Sequence, residues 1–249
     1  MPLSVDHRLR NRILSARPPA DFEHLRPHLE QLPLRQRQVL HQPGAAIEHV
    51  HFIEEGLASV LTTMPEGGAV EVRMAGREGI TGFSYVLGAH SLRQEIIVQA
   101  PGSALRMSAA IFKTAFDRSE PLRRTVLRYV NTALTMTAQT AACNRLHSIE
   151  QRCARWLLNA SDRIDSNTMP MTHEFLALLL GVRRAGVTAV AGKLQSSGLI
   201  RYHRGRLTIV ERGGLERVAC QCYDADRQEF DWLTAGPFAS LTNNGRSVC

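Results

Sequence analysis

The chain has 249 residues, 44% of them hydrophobic, with a formal net charge of +7 and a pI near 9.6. It can bury a sizeable core and hold two domains, and its basic balance favours an anionic partner, nucleic acid or membrane surface. No stretch approaches the roughly 20 apolar residues of a membrane span, and the opening MPLSVDHRLRNRILSARPP lacks a continuous apolar secretory core, so a soluble, cytoplasmic protein is expected.

From about Arg37 to Met107 the sequence is a series of short runs bounded by Gly, Pro and acidic turns: Val39-Leu40, His49 to Ile53, Leu57 to Thr62, Ala69 to Met74, Glu95 to Ala100 and Ala104 to Met107. Runs of that length and punctuation predict an antiparallel β-barrel or sandwich, with Pro65-Glu66-Gly67-Gly68 at a hairpin tip. Ala109 to Arg118 then predicts a short helix closing this domain.

Glu120-Pro121 opens a long helix, along which Leu122, Val126, Tyr129, Ala133, Met136, Thr140 and Cys143 recur at alternating steps of four and three. A repeat of mean 3.5 over three heptads predicts a two-helix seam, most economically with the same helix of a second subunit. Leu127, Val130 and Leu134 supply a second face, which suits packing on the chain's own β domain.

A further helix is expected from Ile149 to Ala160, with Trp156, Leu157 and Leu158 as core, followed by a polar loop at Asp165 to Thr168. Thr172 then N-caps a short helix whose apolar residues are Leu176, Ala177 and Leu179, with His173 and Glu174 outward. Gly181 ends it, since glycine adopts φ > 0 cheaply. A second helix is predicted from about Arg183 to Gln195, apolar at Val187, Val190, Ala191 and Leu194. Its open side carries Arg183, Arg184, Gly186, Thr188, Ala189 and Lys193. A helix fits the major groove, and an Arg can donate two bonds to guanine O6 and N7.

After Ser197-Gly198, Leu199 to Val210 alternates as two short strands about an Arg204-Gly205 turn, a wing whose Arg201, His203, Arg204 and Arg206 suit phosphates. Residues 144 to 212 hold eleven Lys and Arg against five Asp and Glu, so most of the excess charge lies here. Charge concentrated about a helix-turn-helix favours nucleic acid over membrane. Gly213-Gly214 leads to a last helix, about Leu215 to Phe230.

This order of parts resembles the cyclic-AMP receptor protein and fumarate-nitrate regulator (Crp/Fnr) family of bacterial transcription factors. The resemblance covers roughly residues 20 to 230 and is most specific at Thr172-His173-Glu174, Leu180 to Val187 and Gly198-Leu199-Ile200. It implies an α+β chain in four parts. Residues 20–118 form a jelly-roll-like, cyclic-nucleotide-binding-like antiparallel β-barrel, 119–146 a dimerisation helix, 147–232 a winged helix-turn-helix, and 233–249 a disordered tail. It implies a homodimer on a two-fold-symmetric operator that recruits or blocks RNA polymerase. The base-reading arginine falls on Arg184, and Ala185 and Ala189 stand where a glutamate and a second arginine are usual, so the operator should differ. Arg183, His173 and the backbone of Gly186 fall where the family touches phosphates.

The cyclic-nucleotide pocket of the family falls on Gly82, Phe83, Arg93 and Gln94. Phe83 replaces the ribose-binding glutamate and Glu95 follows the phosphate site, so a pocket degenerated into core is expected, with no cofactor. Cyclic-nucleotide response is the alternative. Pro2 with His49, His51 or His90 offers haem ligation only by coincidence. The cysteines, Cys143, Cys153, Cys220, Cys222 and Cys249, are odd in number and argue against a disulfide framework. No N-terminal iron-sulfur set exists. Cys220-Gln221-Cys222 is a lone close pair, short of the four ligands a structural metal needs, so no metal is expected. A second alternative keeps it as a redox or metal sensor, pairing with Cys153 or Cys249 or across the dimer. No nucleophile-base pair, phosphate loop or metal motif suggests an enzyme.

Overall fold

The computed structural model describes residues 7–16 and 18–234. In chain order the elements are α1 (Arg12–Ser15), α2 (Pro19–Leu25), β1 (Glu30–Leu34), β2 (Val39–His41), β3 (His49–Thr63), β4 (Ala69–Ala75), β5 (Ile80–Thr81), β6 (Glu95–Ser108), α3 (Ala109–Arg118), α4 (Glu120–Leu146), α5 (Ile149–Ile164), β7 (Thr168–Pro170), α6 (His173–Leu180), α7 (Arg184–Ser196), β8 (Ile200–His203), β9 (Arg206–Ile209), α8 (Arg212–Val218) and α9 (Cys222–Thr234). Leu233 and Thr234 belong to α9, and the rest of the expected tail, with Cys249, lies outside the described residues, as does Pro2.

The N-terminal half is an antiparallel sheet in the order β1-β6-β3-β4, with β2 paired to β6 and β5 to β3. It rolls without closing. The runs expected as separate strands merge: β3 has 15 residues and β6 has 14. Both bend at the same level, where the register shifts around Glu55. Gly56 sits at φ 86°, and a Cβ there would lie 2.5 Å from the Ala100 carbonyl; a Cβ on Gly102 would lie 2.2 Å from that of Glu55. Only glycines let the two backbones pass this closely.

The bend lets one pair of strands serve different cores. Ile53, Ala58, Val60, Ile96, Val98 and Ala104 fill the roll. Phe52, Leu105 and Met107 face out, beneath α3 and α4, with Phe112, Leu122 and Val126. Leu57, Leu61, Met74, Ile97 and Ala100 continue into the C-terminal half, against Trp156, Leu157 and Leu176.

In α4, Ser119 caps the N-terminus, its Oγ accepting from Leu122 N at 3.2 Å. The expected dimer seam is corrected: Leu122, Val126, Tyr129, Ala133 and Met136 are buried inside the chain itself, none more than 8% exposed, and Thr140 is half-buried. Tyr129 explains the preference, since its ring stacks edge-on against Phe83 and its hydroxyl accepts from Arg73 at 2.7 Å. The face left to solvent is the other one, with Leu127 45% and Leu134 67% exposed. Arg124, Leu127, Asn131, Leu134, Ala138, Ala141 and Arg145, all exposed, continue the same alternation of three and four.

The C-terminal half adds two corrections. The loop expected up to Thr168 ends in a strand, β7, which pairs with β9 to make the wing three-stranded in the order β7-β9-β8. The single last helix is two, α8 and α9, broken at Ala219 to Gln221. α9 lies along α4 and α5, where Asp226 takes two bonds from Arg155 (2.8 and 3.0 Å) and one from Asn159 (2.7 Å). The two halves are joined by polar bonds as well as by core. Trp156 Nε1 donates to Glu71 at 2.7 Å, Ser59 donates to the other oxygen of that carboxylate, and Arg163 pairs with Glu78 at 3.1 Å. Among the described residues no single helix is long and apolar enough to cross a membrane.

Candidate nucleic-acid interface

Thr172 Oγ1 accepts from Phe175 N at 3.1 Å and starts α6; Gly181 ends it at φ 61°. From there the chain turns 110° into α7, within the range of a helix-turn-helix. Val187, Ala191 and Leu194 seal α7 onto α5 and α6. Arg183, in the N-cap position, makes no side-chain cap, and Arg184 beside it in the first turn of α7 is exposed like it. A helix N-terminus in that condition attracts anions.

Arg184 and Thr188 stand one turn apart, and Ala185, Ala189 and Gly192 beside them are exposed and small. They leave a smooth strip that can enter a groove. Lys193 is corrected: nine residues from Arg184 it lies about half a circumference away, and its Nζ pairs with Glu150 at 2.7 Å. Gly186 is corrected as well. Its N–H donates to the Arg183 carbonyl at 2.9 Å, and the residue is half-buried, a Cβ there coming within 3.3 Å of Ile149. Its smallness serves the approach of α5 and its N–H is already engaged.

His173, half-buried, joins three elements: its Nδ1 lies 3.2 Å from Thr188 Oγ1, and its ring meets Tyr202 edge-on at 4.6 Å. Burial, and then the Arg184 charge, lower its pKa from the ordinary value, so near neutral pH it is an uncharged spacer between α6, α7 and the wing. Gln195, not expected from the sequence, accepts from Tyr202 N at 2.8 Å and ties β8 to α7. The wing turns through Arg204 at φ 46° and Gly205 at φ 73°, the left-handed pair of a tight hairpin. Arg201 and His203 pair across the strands with Thr208 and Arg206 and so share one face, opposite the buried Ile200, Leu207 and Ile209. Arg204 alone among the four stands at the tip.

The residues matched to a nucleotide pocket do not form one cradle. A Cβ on Gly82 would lie 2.5 Å from the His49 carbonyl. Phe83 is held between Tyr129 and the Arg73 guanidinium, 5.4 Å above its ring. Arg93 is exposed and Gln94 half-buried at the entry to β6. Elsewhere, the expectation that the cysteine pair lacks partners is corrected. Cys143 and His147 from the end of α4 meet Cys220 and Cys222, the four donor atoms all within 4.8 Å of one another. Cys153 stays apart, its thiol pushed up to about 12 by burial.

Two family models match the chain: the Crp-like helix-turn-helix domain over residues 151–218 and the cyclic nucleotide-binding domain over 31–119. No curated protein matches it. Among solved structures it is similar to a transcriptional regulator of the Crp/Fnr family from Eubacterium rectale, at 18% identity and TM-score 0.67 over 83% of this chain and 96% of that one. FixK2 from Bradyrhizobium japonicum is similar at 13% identity and TM-score 0.66, over 77% and 98%. The c-di-GMP responsive global regulator CLP from Xanthomonas campestris is similar at 16% identity and TM-score 0.62, over 76% and 98%.

Proposed function

From its two matched domains the chain belongs to the Crp/Fnr family of transcription regulators, and we propose that it reads a two-fold-symmetric operator as a homodimer. The observation that carries this is the strip of α7 from Arg184 to Gly192, exposed and uncrowded, with the anion-binding helix N-terminus at one end. The exposed stripe of Leu127 and Leu134 on α4 supports the dimer, since it is the apolar 3.5-spaced face that its own chain leaves uncovered. Two copies joined there present two α7 helices to successive turns of one duplex face, about 34–36 Å apart. Bound there, in the cytoplasm, the dimer meets RNA polymerase and recruits or blocks it.

Arg184 reads a base. Arg183 and Arg204 bind phosphates on either side, with Thr172, His173 and Thr188 holding the frame. Arg201, His203 and Arg206, on the outer wing face, contribute field more than contact. The barrel takes no cyclic nucleotide, because Phe83 stands where the family's ribose-binding glutamate is matched and packs against Tyr129 and Arg73. Selection from random duplex DNA at fixed salt should enrich a palindrome; enrichment of no symmetric motif overturns the regulator's proposed mode. Calorimetry with cyclic AMP and cyclic GMP should show no heat of binding, and submicromolar affinity for either overturns the reading of the barrel.

A further inference from the structure

Cys143 lies in the last turn of α4, and His147, its C-cap, donates its N–H to the Cys143 carbonyl at 3.1 Å. That end of α4 meets the break between α8 and α9, where Cys220 and Cys222 point the same way while Gln221 between them is exposed. The three sulfurs are buried, Cys143 at 1%, Cys220 at 5% and Cys222 at 4% exposure, and His147 is half-buried at the rim. Cys143 Sγ stands 3.5 Å from Cys220 Sγ, and Cys222 Sγ 3.5 Å from His147 Nδ1. Donors at tetrahedral bond lengths of about 2.0–2.3 Å from one zinc ion stand about 3.4–3.8 Å apart. A disulfide would need sulfurs at about 2.05 Å and would use two of the four groups. Gln139, one turn before Cys143, aims its Nε2–H at Cys222 Sγ at 2.9 Å, the outer hydrogen bond that a metal-bound thiolate accepts.

We propose that Cys143, His147, Cys220 and Cys222 form a tetrahedral site for one thiophilic divalent metal ion, of which Zn2+ is the type. Three thiolates and an imidazole are a closed structural donor set with no open position, and their spacing leaves no room for bridging sulfides. Binding releases the thiol protons to solvent, up to three per ion, and no electron is transferred.

The site's place gives it a use that rests on the regulator reading. His147 and Ser148 are the whole connection between α4 and α5, the joint between the dimer helix and the DNA-reading half. α9, which begins at Cys222, is bonded to α5 through Asp226. An ion held by all four groups fixes that joint, and so fixes the angle at which α7 is offered to DNA.

The test uses the full chain, reduced, stripped with EDTA and titrated with Co2+ alone. One equivalent per chain should bind, giving the intense visible bands of tetrahedral cobalt and a sulfur-to-metal charge-transfer band, both abolished by Zn2+. Cys143→Ser and Cys222→Ser should each weaken binding about 100-fold, Cys153→Ser should not, and His147→Cys should keep the site with a stronger charge-transfer band. Should the serine variants fail to fold, His147→Cys carries the test. Absence of the bands, bands unchanged in Cys143→Ser and Cys222→Ser, or a Cys143–Cys220 disulfide in metal-free protein as purified would each overturn the site. Zn2+ should also shift affinity for the selected duplex several-fold; equal affinity of loaded and stripped protein overturns the clamp. A chain that selects a palindrome yet binds no cobalt refutes the metal site alone, and one that binds cobalt yet selects no motif refutes the regulator's mode alone.

Discussion

Arg184 and Arg204 are both exposed cations of the reading domain, but their settings differ. Arg184 rises from the first turn of a helix whose neighbouring side chains are small, so its fork of donors can reach a base edge. Replacing it with Ala should cost about 1–3 kcal/mol at one base pair of each half-site and relax specificity there. Arg204 sits on the wing tip at φ 46°, the position we assign to phosphate contact, which carries no sequence. Arg204→Gly should weaken all duplexes alike and lower the salt slope by about one per wing, while thermal stability holds or rises because glycine adopts that backbone without strain. Binding titrations on matched and mismatched duplexes at two salt concentrations, with melts, check both; loss of specificity in Arg204→Gly would reverse the assignment. These two positions were legible because a helix start and a tight turn are local. Gly186 and Lys193 were misplaced because α5 decides their surroundings, and α5 is distant in sequence. The metal quartet was half-hidden for the same reason, since Cys143 and Cys220 touch across 77 positions.

At the scale of elements, α4 shows where periodicity stops being informative. Two stripes of the same 3.5-residue spacing run along it, and the sequence alone favours the one with more apolar bulk. That bulk is what the barrel claims: Val126 and Tyr129 fill the core beneath α3, leaving the poorer stripe exposed, the face we propose for a partner. The other elements follow a similar rule. The short runs that mark strands were visible along β3 and β6, yet their continuity through Gly56 and Gly102 was not, since glycines read as breaks until a second backbone is seen passing them. The helix-turn-helix was legible nearly to the residue, because cap, glycine turn and apolar face are all written within 25 residues. For α4 the consequence is a clean contrast. Leu134→Asp, at a position 67% exposed in the single chain, should convert dimer to monomer in sedimentation, with the fold intact and affinity for a two-half-site duplex greatly reduced. Met136→Asp, at 8% exposure, should instead destabilise the fold by several kcal/mol, as a buried unpaired charge does. A Leu134→Asp protein that stays dimeric would remove this face from the interface.

At the scale of the whole molecule, the N- and C-terminal halves are fused through a core that contains a carboxylate with a displaced titration. Glu71 on β4 lies between Ser59 of β3 and Trp156 of α5. Burial pushes its carboxyl up to about 7, against the opposing pull of the Ser59 and Trp156 hydrogen bonds and the Arg163 and Arg155 charges. The folded chain therefore keeps a proton that the unfolded chain gives up near 4.5. Its contribution to stability is complete below that value and is lost as pH rises through 7, by on the order of 3 kcal/mol in all. His51, pushed down to about 4 by burial, works in the opposite sense, its cost disappearing as pH rises to 6.5. Above pH 6.5 the His51 contribution is gone, and the difference between wild type and a Glu71 variant reports Glu71. In melts between pH 6.5 and 8 the wild-type midpoint should fall by about 2 °C relative to that of Glu71→Gln, which is neutral at every pH. Parallel curves would mean that Glu71 is ionised throughout, held by Arg163 and Arg155 instead of by a proton.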